Sequence, residues 1–238
     1  MAPSEITEDG WTAVPVDPSR IFKSGGYNNI PGPLRVSDIS WPGHDGVVRR
    51  VHDYAKARLL RQTYNHSMRV FYYCMPLFPE QLGAVCPSTV ALTSLLHDLG
   101  TVDLSATNMS FDLYGGVKAL CVCLERGATR SQAEAVAEAT IRHQDIGTEG
   151  TITFLGQLIQ LATIYDNTGE HPYMKNIGDI LHKQTREDVI REFPREGWLG
   201  CFANTIREEM RLKPWCHSTH IPDFPNKIES NQVMKPYE

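Results

Sequence analysis

Apolar residues recur at three- and four-residue intervals through most of the chain between residues 47 and 212. This spacing places them on one face of an α-helix, and no alternating pattern of comparable length predicts a strand. Seven segments carry the helical pattern: VVRRVHDYAKARLLRQTYNHSMRVFYYCM (47–75), STVALTSLLHDL (88–99), FDLYGGVKALCVCLER (111–126), TRSQAEAVAEATIRH (129–143), TITFLGQLIQLATIYDN (151–167), IGDILHKQTREDVIREF (177–193) and GWLGCFANTIREEMRL (197–212). The sequence therefore predicts an all-α bundle of about six or seven helices.

Two of these segments have residues suited to helix ends. The second segment begins at Ser88, a good N-cap residue, and runs into Gly100, which suits a C-cap. In the fourth segment Thr129 and Gln132 have the spacing of a capping box.

The chain of 238 residues is long enough for one large globular domain. Residues 1–46 contain several prolines and glycines with scattered apolar residues, and they predict an irregular N-terminal arm packed on the core. We expect the helical domain to span 47–213 and a docked, irregular C-terminal tail to span 214–238, in a single domain overall. The apolar arm could also pack across a dimer, so we expect a homo-oligomer.

Charge and composition argue against several classes of protein. The net charge is −5 and no Lys/Arg run is long enough to follow a phosphate backbone, so no nucleic acid partner is expected. The first ten residues, MAPSEITEDG, are too polar for a secretory signal, and every long apolar stretch is interrupted before it could span a bilayer. We expect a soluble, cytoplasmic protein without a membrane partner, with its six cysteines reduced.

The segment LLHDLG (95–100) places His97 and Asp98 side by side at the end of an apolar stretch. Burying a carboxylate costs several kcal/mol unless another group compensates its charge. Three more groups of this kind, His66, His143 and Asp166, occupy core-facing positions of other helices.

Each of these residues alone has an ordinary structural explanation. A single histidine on an apolar face is usually bonded to a backbone carbonyl, and a single buried aspartate usually caps a helix or forms an ion pair. Together, however, His66, His97, Asp98 and Asp166 supply two imidazoles and two carboxylates from three helices. A divalent transition metal accepts such a set, and its charge offsets the cost of burying two aspartates. The pattern therefore predicts a metal site.

The order H…HD…D resembles the HD-domain superfamily of metal-dependent hydrolases, with NHS at 65–67, HDLG at 97–100 and an aspartate ending a helix at 166. Within that superfamily the chain is most similar to the fungal cyanamide hydratase family. The segments that carry this closer similarity are GWTAVPVD (10–17), LTSLLHDLG (92–100), IRHQDIGTEG (141–150), LATIYDN (161–167) and KPYE (235–238).

The resemblance implies an all-α HD-domain bundle and a mononuclear metal, usually zinc, that hydrates cyanamide to urea; iron(II) also suits the ligand set. Carried onto this sequence, the implied metal ligands are His66, His97, Asp98 and Asp166. His143 is implied to lie beside the substrate. Between Asp98 and Asp166 the only histidine is His143, which is consistent with one metal ion.

Roles in catalysis follow as hypotheses. Asp98 and His143 are the predicted catalytic residues, with His143 orienting the substrate and transferring a proton. Asn167 and Thr168 directly follow a predicted ligand and could hydrogen-bond a small neutral substrate, or could equally cap the helix that ends there.

Two alternatives to cyanamide hydration stay open. The first is an HD-domain phosphohydrolase acting on a nucleotide or a small phosphomonoester. Against it, Thr101 follows Gly100 where many such enzymes have a lysine, and no Lys or Arg lies between Cys74 and Lys118. The second is a non-catalytic helical binding protein whose buried polar cluster only determines packing.

Overall fold

Helices dominate the computed structural model, which describes residues 8–21, 32–77, 85–147 and 149–238. Within these ranges two short strands occur, β1 (Ala13–Pro15) and β2 (Thr151–Thr153). The α-helices of the described residues are α1 (Pro18–Ile21), α2 (Gly46–Arg58), α3 (Arg61–Cys74), α4 (Pro87–Leu96), α5 (Phe111–Glu125), α6 (Arg130–Arg142), α7 (Phe154–Asn167), α8 (Lys183–Glu192), α9 (Trp198–Leu212) and α10 (Phe224–Glu229). The all-α prediction is confirmed.

The first long segment with a helical pattern forms two helices rather than one. Between α2 and α3, Leu59 and Leu60 adopt extended backbone, with ψ of 147° and 150°. Neither residue is Gly or Pro, so the apolar spacing continues across the break and periodicity alone could not locate it. This division and the two short helices α1 and α10 account for the larger number of helices.

The N-terminal arm contributes a strand to a small antiparallel sheet. Strand β1 pairs with β2 so that Val14 lies opposite Ile152. Residues 151–153, which the sequence pattern assigned to a helix, are therefore a strand, and α7 begins after it. The Thr153 hydroxyl accepts a hydrogen bond from Gly156 N at 3.0 Å and caps α7.

The expected cap at Thr129 is present, because its hydroxyl accepts a hydrogen bond from Gln132 N at 3.1 Å. Gly100 is not a C-cap, however, since α4 already ends at Leu96. Gly100 lies in a short 3₁₀ turn, where an added Cβ would come within 1.9 Å of the carbonyl oxygen of Phe111. Glycine is therefore required so that this turn can pack against the start of α5.

The most buried helices meet at the centre of the fold. Every residue of α7 is buried, and α3 packs between α4 and α7. A second apolar cluster, with Phe111, Trp198 and Phe202, covers the same region from α5 and α9. The predicted site residues therefore lie in the interior of the fold. None of the described helices combines the length and the apolar character needed to cross a membrane.

Candidate metal centre

Three of the predicted ligands converge in the interior. The Nε2 atoms of His66 and His97 are 3.1 Å apart. Asp98 Oδ2 lies 3.3 Å from His97 Nε2 and 3.6 Å from His66 Nε2. All three side chains are at most 1% exposed. Among the described residues, these three form a group whose ligand atoms all lie within 4.8 Å of one another.

The hydrogen bonds of the two imidazoles determine which nitrogen carries the proton. His97 Nδ1 is 2.8 Å from the carbonyl oxygen of Ser94, and His66 Nδ1 is 2.7 Å from Asp166 Oδ2. Both partners can only accept, so each Nδ1 must donate. In the neutral rings both Nε2 atoms therefore carry lone pairs, and these point toward each other and toward Asp98.

Asp98 adds a carboxylate to the two imidazoles, and this carboxylate has no hydrogen-bond donor in the part of the chain that the structure describes. Both of its carboxylate oxygens are buried, and no described residue donates a hydrogen bond to either. Burial alone would raise the pKa of Asp98, but the neighbouring His97 and His66 lower it well below its usual value, so the group is ionised. A buried carboxylate with no donor is costly unless a cation lies beside it.

Burial also keeps one of the imidazoles neutral. It lowers the pKa of His66 to about 4, although Asp166 acts in the opposite direction. Burial would likewise lower the pKa of His97, but the adjacent Asp98 carboxylate outweighs it and raises that pKa. A cation bound at His97 Nε2 would replace the proton that Asp98 favours there. Imidazole nitrogens and carboxylate oxygens are the ligands that zinc and other divalent transition metals take. The three groups therefore fit a divalent cation.

Asp166 is adjacent to this group but is bonded to other residues. Its Oδ2 accepts from His66 Nδ1 at 2.7 Å and from Arg69 Nη2 at 2.8 Å. Its Oδ1 accepts from Arg69 Nε at 3.1 Å and from Arg195 Nη1 at 2.5 Å. These four bonds use the capacity of a carboxylate. The structure thus brings His66, His97 and Asp98 together and directs Asp166 to the far side of the His66 ring.

In this arrangement Asp166 orients the His66 ring. By accepting the Nδ1 proton of His66 it holds the ring in the tautomer that presents Nε2 to the centre. Burial would raise the pKa of Asp166, but Arg195 and Arg69 hold it well below its usual value. That Asp166 also binds the metal directly stays a prediction.

His143 borders the group from the end of α6. Its Nδ1 donates to the carbonyl oxygen of Thr140 at 2.6 Å, which leaves a lone pair on Nε2. Nε2 lies 3.9 Å from Asp98 Oδ1, and no described residue bonds to it. Burial lowers the pKa of His143, so the ring is a neutral base. Its position suits a group that exchanges a proton beside the centre.

An aromatic wall, formed by Trp198 and Phe202 of α9, covers the His66 ring. The Trp198 ring stacks on His66 with centroids 4.4 Å apart, and Phe202 stacks on Trp198 at 5.1 Å. Trp198 Nε1 donates to Asn167 Oδ1 at 2.8 Å. Sequence reasoning missed this wall because apolar residues four apart on a helix are indistinguishable from ordinary core positions.

Two of the predicted substrate-binding residues, Asn167 and Thr168, have structural partners. The side-chain oxygen of Asn167, Oδ1, accepts from Trp198 Nε1, as described above. The Thr168 hydroxyl donates to the carbonyl oxygen of Glu170 at 3.0 Å and lies 3.3 Å from that of Ile164. These contacts favour the capping role for Thr168, and contact of either residue with a substrate stays a prediction.

The basic residues near the centre are already paired. Arg69 and Arg195 both bind Asp166, and Arg142 binds Asp145 with Nε to Oδ2 at 2.7 Å. Paired arginines of this kind do not offer a free site for a phosphate group.

The fold and the site define an all-helical protein with a buried His–His–Asp group that is compatible with a divalent cation and lies beside a third histidine. No model of a protein family matches the chain. The chain is 36% identical over 220 residues to the cyanamide hydratases DDI2 and DDI3 of Saccharomyces cerevisiae. Each alignment covers 90% of this chain and 94% of the relative. The chain belongs to the cyanamide hydratase family.

Proposed function

We propose that the protein is an enzyme that hydrates cyanamide to urea at the His66–His97–Asp98 centre. One observation carries the proposal: three buried side chains bring their ligand atoms together, and the Asp98 carboxylate has no hydrogen-bond partner among the described residues. A bound cation would compensate that carboxylate. The names of the two yeast relatives supply the substrate.

The residues that would hold the cation are His66, His97 and Asp98. Catalytic zinc sites commonly have three protein ligands and keep one position open, and this group matches that number. Zn²⁺ is the metal we propose, with Fe²⁺ as the alternative. When bound, the metal would supply a Lewis acid that lowers the pKa of water from about 15.7 toward about 7. Direct binding by Asp166 would require one of its oxygens to release an arginine or His66.

Proton transfer is the role proposed for His143. Hydration forms a bond between a water oxygen and the nitrile carbon, breaks one C–N π bond and leaves a proton to be moved to the nitrile nitrogen. The Nε2 lone pair of His143 can accept the proton from water and return it to that nitrogen. The Nδ1–H bond to Thr140 keeps Nε2 in the receptive tautomer. The isourea formed in this way tautomerises to urea.

The surroundings favour a small neutral substrate over a phosphate ester. Stacked aromatic rings cover the centre, and Arg69 and Arg195 are neutralised by acids. A substrate contact by Asn167 would use its amide nitrogen, because its oxygen is bonded to Trp198. These features argue against a phosphohydrolase. The unsatisfied Asp98 argues against a purely structural cluster, in which buried polar groups would be paired.

The remaining parts of the proposal concern organisation and setting. We infer one domain, with an arm at 1–46, a helical body at 47–213 and a docked tail at 214–238. The protein would act in the cytoplasm as a homo-oligomer, without nucleic acid or a membrane as partner.

Urea production from cyanamide, measured on protein of known metal content, tests the function. We expect turnover that a chelator abolishes and that added Zn²⁺ or Fe²⁺ restores. Phosphate release from mixed nucleotides, assayed in parallel, tests the phosphohydrolase. Metal-loaded protein that forms no urea would contradict the proposal, and phosphate release in its place would favour the alternative.

A further inference from the structure

Glu238 lies at the outer end of a chain of hydrogen bonds that leads to His66. Its Oε1 accepts from Arg195 Nε at 2.5 Å. Arg195 Nη1 in turn donates to Asp166 Oδ1 at 2.5 Å, and Arg195 Nη2 donates to the Asp166 carbonyl oxygen at 3.1 Å. Asp166 then accepts the Nδ1 proton of His66 at 2.7 Å. The Arg195 side chain is fully buried, whereas that of Glu238 is 22% exposed.

Glu238 also reaches the aromatic wall. Its Oε2 accepts from the backbone nitrogen of Leu199 at 3.1 Å. This N–H belongs to the first turn of α9, whose N–H groups have no partner within the helix and attract negative charge. Trp198, the neighbour of Leu199, stacks on His66. One carboxylate is therefore linked, through Arg195 and through the first turn of α9, to both side chains that contact the His66 ring.

Glu238 completes the ion pairs around Asp166. Two arginines, Arg69 and Arg195, surround the single carboxylate of Asp166 and leave one positive charge in excess. Glu238 supplies the matching negative charge. A buried charge without a partner is strongly unfavourable, and an excess positive charge close to the centre also opposes binding of a cation.

We propose that Glu238 is a positioning residue for the metal centre, which acts through Arg195 and Asp166 on the His66 imidazole. Docking of the 214–238 segment is thereby coupled to cation binding. This inference rests on the cation-binding part of the proposed function and does not depend on the substrate.

Glu238→Gln tests the inference because it removes the charge and keeps the shape. We expect Zn²⁺ and Co²⁺ to bind about 10-fold to 100-fold more weakly, the range typical when a partner of a metal ligand is lost. Competition against a chromophoric chelator measures this affinity. The visible spectrum of the Co²⁺-loaded protein should also change, since it reports ligand geometry. Glu238→Asp, which keeps the charge, should recover part of the affinity.

Glu187→Gln is the matched control. Glu187 Oε1 accepts from the Tyr237 hydroxyl at 3.2 Å, so this change weakens a contact to the same segment, by replacing a charged acceptor with a neutral amide oxygen, and leaves Arg195 untouched. We expect its Zn²⁺ and Co²⁺ affinities to stay within about twofold of wild type. If Glu238→Gln does not fold, Arg195→Lys takes its place, because lysine keeps the charge and cannot bond both carboxylates in the same way; it should weaken metal binding similarly.

The inference is overturned if Glu238→Gln binds Zn²⁺ and Co²⁺ with wild-type affinity. The same result for Arg195→Lys overturns it where that variant replaces Glu238→Gln. So does an equal loss in Glu187→Gln, which would assign the effect to docking alone. Wild-type protein that binds metal but forms no urea contradicts only the proposed substrate. Wild-type protein that binds no divalent cation overturns both.

Discussion

Asp98→Asn removes one negative charge from the predicted metal centre and keeps the size of the side chain. Both Asp98 oxygens lack a hydrogen-bond donor among the described residues, and Oδ2 lies 3.3 Å from His97 Nε2 and 3.6 Å from His66 Nε2. If this carboxylate attracts a cation, as we propose, the neutral amide should lose most of that attraction. The effect is measurable as stabilisation by metal.

The size of the effect follows from binding linkage. Free metal at about 1,000 times Kd stabilises the folded protein by about 4 kcal/mol. For a chain of this length, each kcal/mol raises Tm by about 2–4 °C, so metal should raise the wild-type Tm by about 8–16 °C. If Asp98→Asn weakens binding about 100-fold, the same metal concentration contributes only about 1.4 kcal/mol, and the shift falls to about 3–6 °C.

Scanning calorimetry of the wild type and the variant, each with chelator and with Zn²⁺, measures these shifts. Asp53→Asn is the matched control, because the Asp53 side chain is 76% exposed and lies outside the metal group. The control should show the full wild-type shift. An Asp98→Asn protein with an undiminished metal-dependent shift would refute the assignment of Asp98 as a ligand.

Three further predictions concern catalysis, packing and pH. His143→Ala should retain metal but lose about 10²-fold or more in urea formation, whereas the exposed His44→Ala should not; unchanged turnover would remove His143 from the mechanism. Gly100→Ala should lower stability in urea denaturation by at least about 1–3 kcal/mol, because its Cβ would meet the Phe111 carbonyl oxygen; a wild-type midpoint would contradict this packing. Burial lowers the pKa of both His171 and His66 to about 4, so the unfolded chain binds more protons between pH 4 and about 6.5, and His171 alone should lower stability by about 3 kcal/mol as the pH decreases through this window. His171→Asn should remove that part of the dependence, and an unaltered pH profile would show that His171 is not one of its sources.

The helices were predictable from periodicity wherever one apolar face persists. The errors occur where no local signal marks a change. The break at Leu59 and Leu60 contains neither Gly nor Pro, and β2 is only three residues long, too short for an alternating pattern to be read. The sequence marked Gly100 as a helix end. Glycine is needed there because the backbone approaches α5 closely, and that approach depends on tertiary packing.

The site was predictable in part because charged and imidazole groups at core positions need partners. His66, His97 and Asp98 were found on that basis, and the structure brings them together. Arg195 was not found, because it lies in the polar stretch FPREG, 29 residues from Asp166, and reads as an exposed loop. Glu238 and Trp198 were also missed, because their roles arise from contacts that sequence spacing does not encode.

The charges around Asp166 also bear on which substrates the centre can accept. Arg69 and Arg195 place two positive charges behind the His66 ring, yet both are engaged by Asp166, and Arg195 also by Glu238. A phosphate group would have to compete with these buried carboxylates for the arginines, and breaking a buried ion pair costs about 3–5 kcal/mol. A small neutral molecule requires no such exchange. We therefore expect the arginines to orient Asp166 and His66, and their pairing to disfavour anionic substrates.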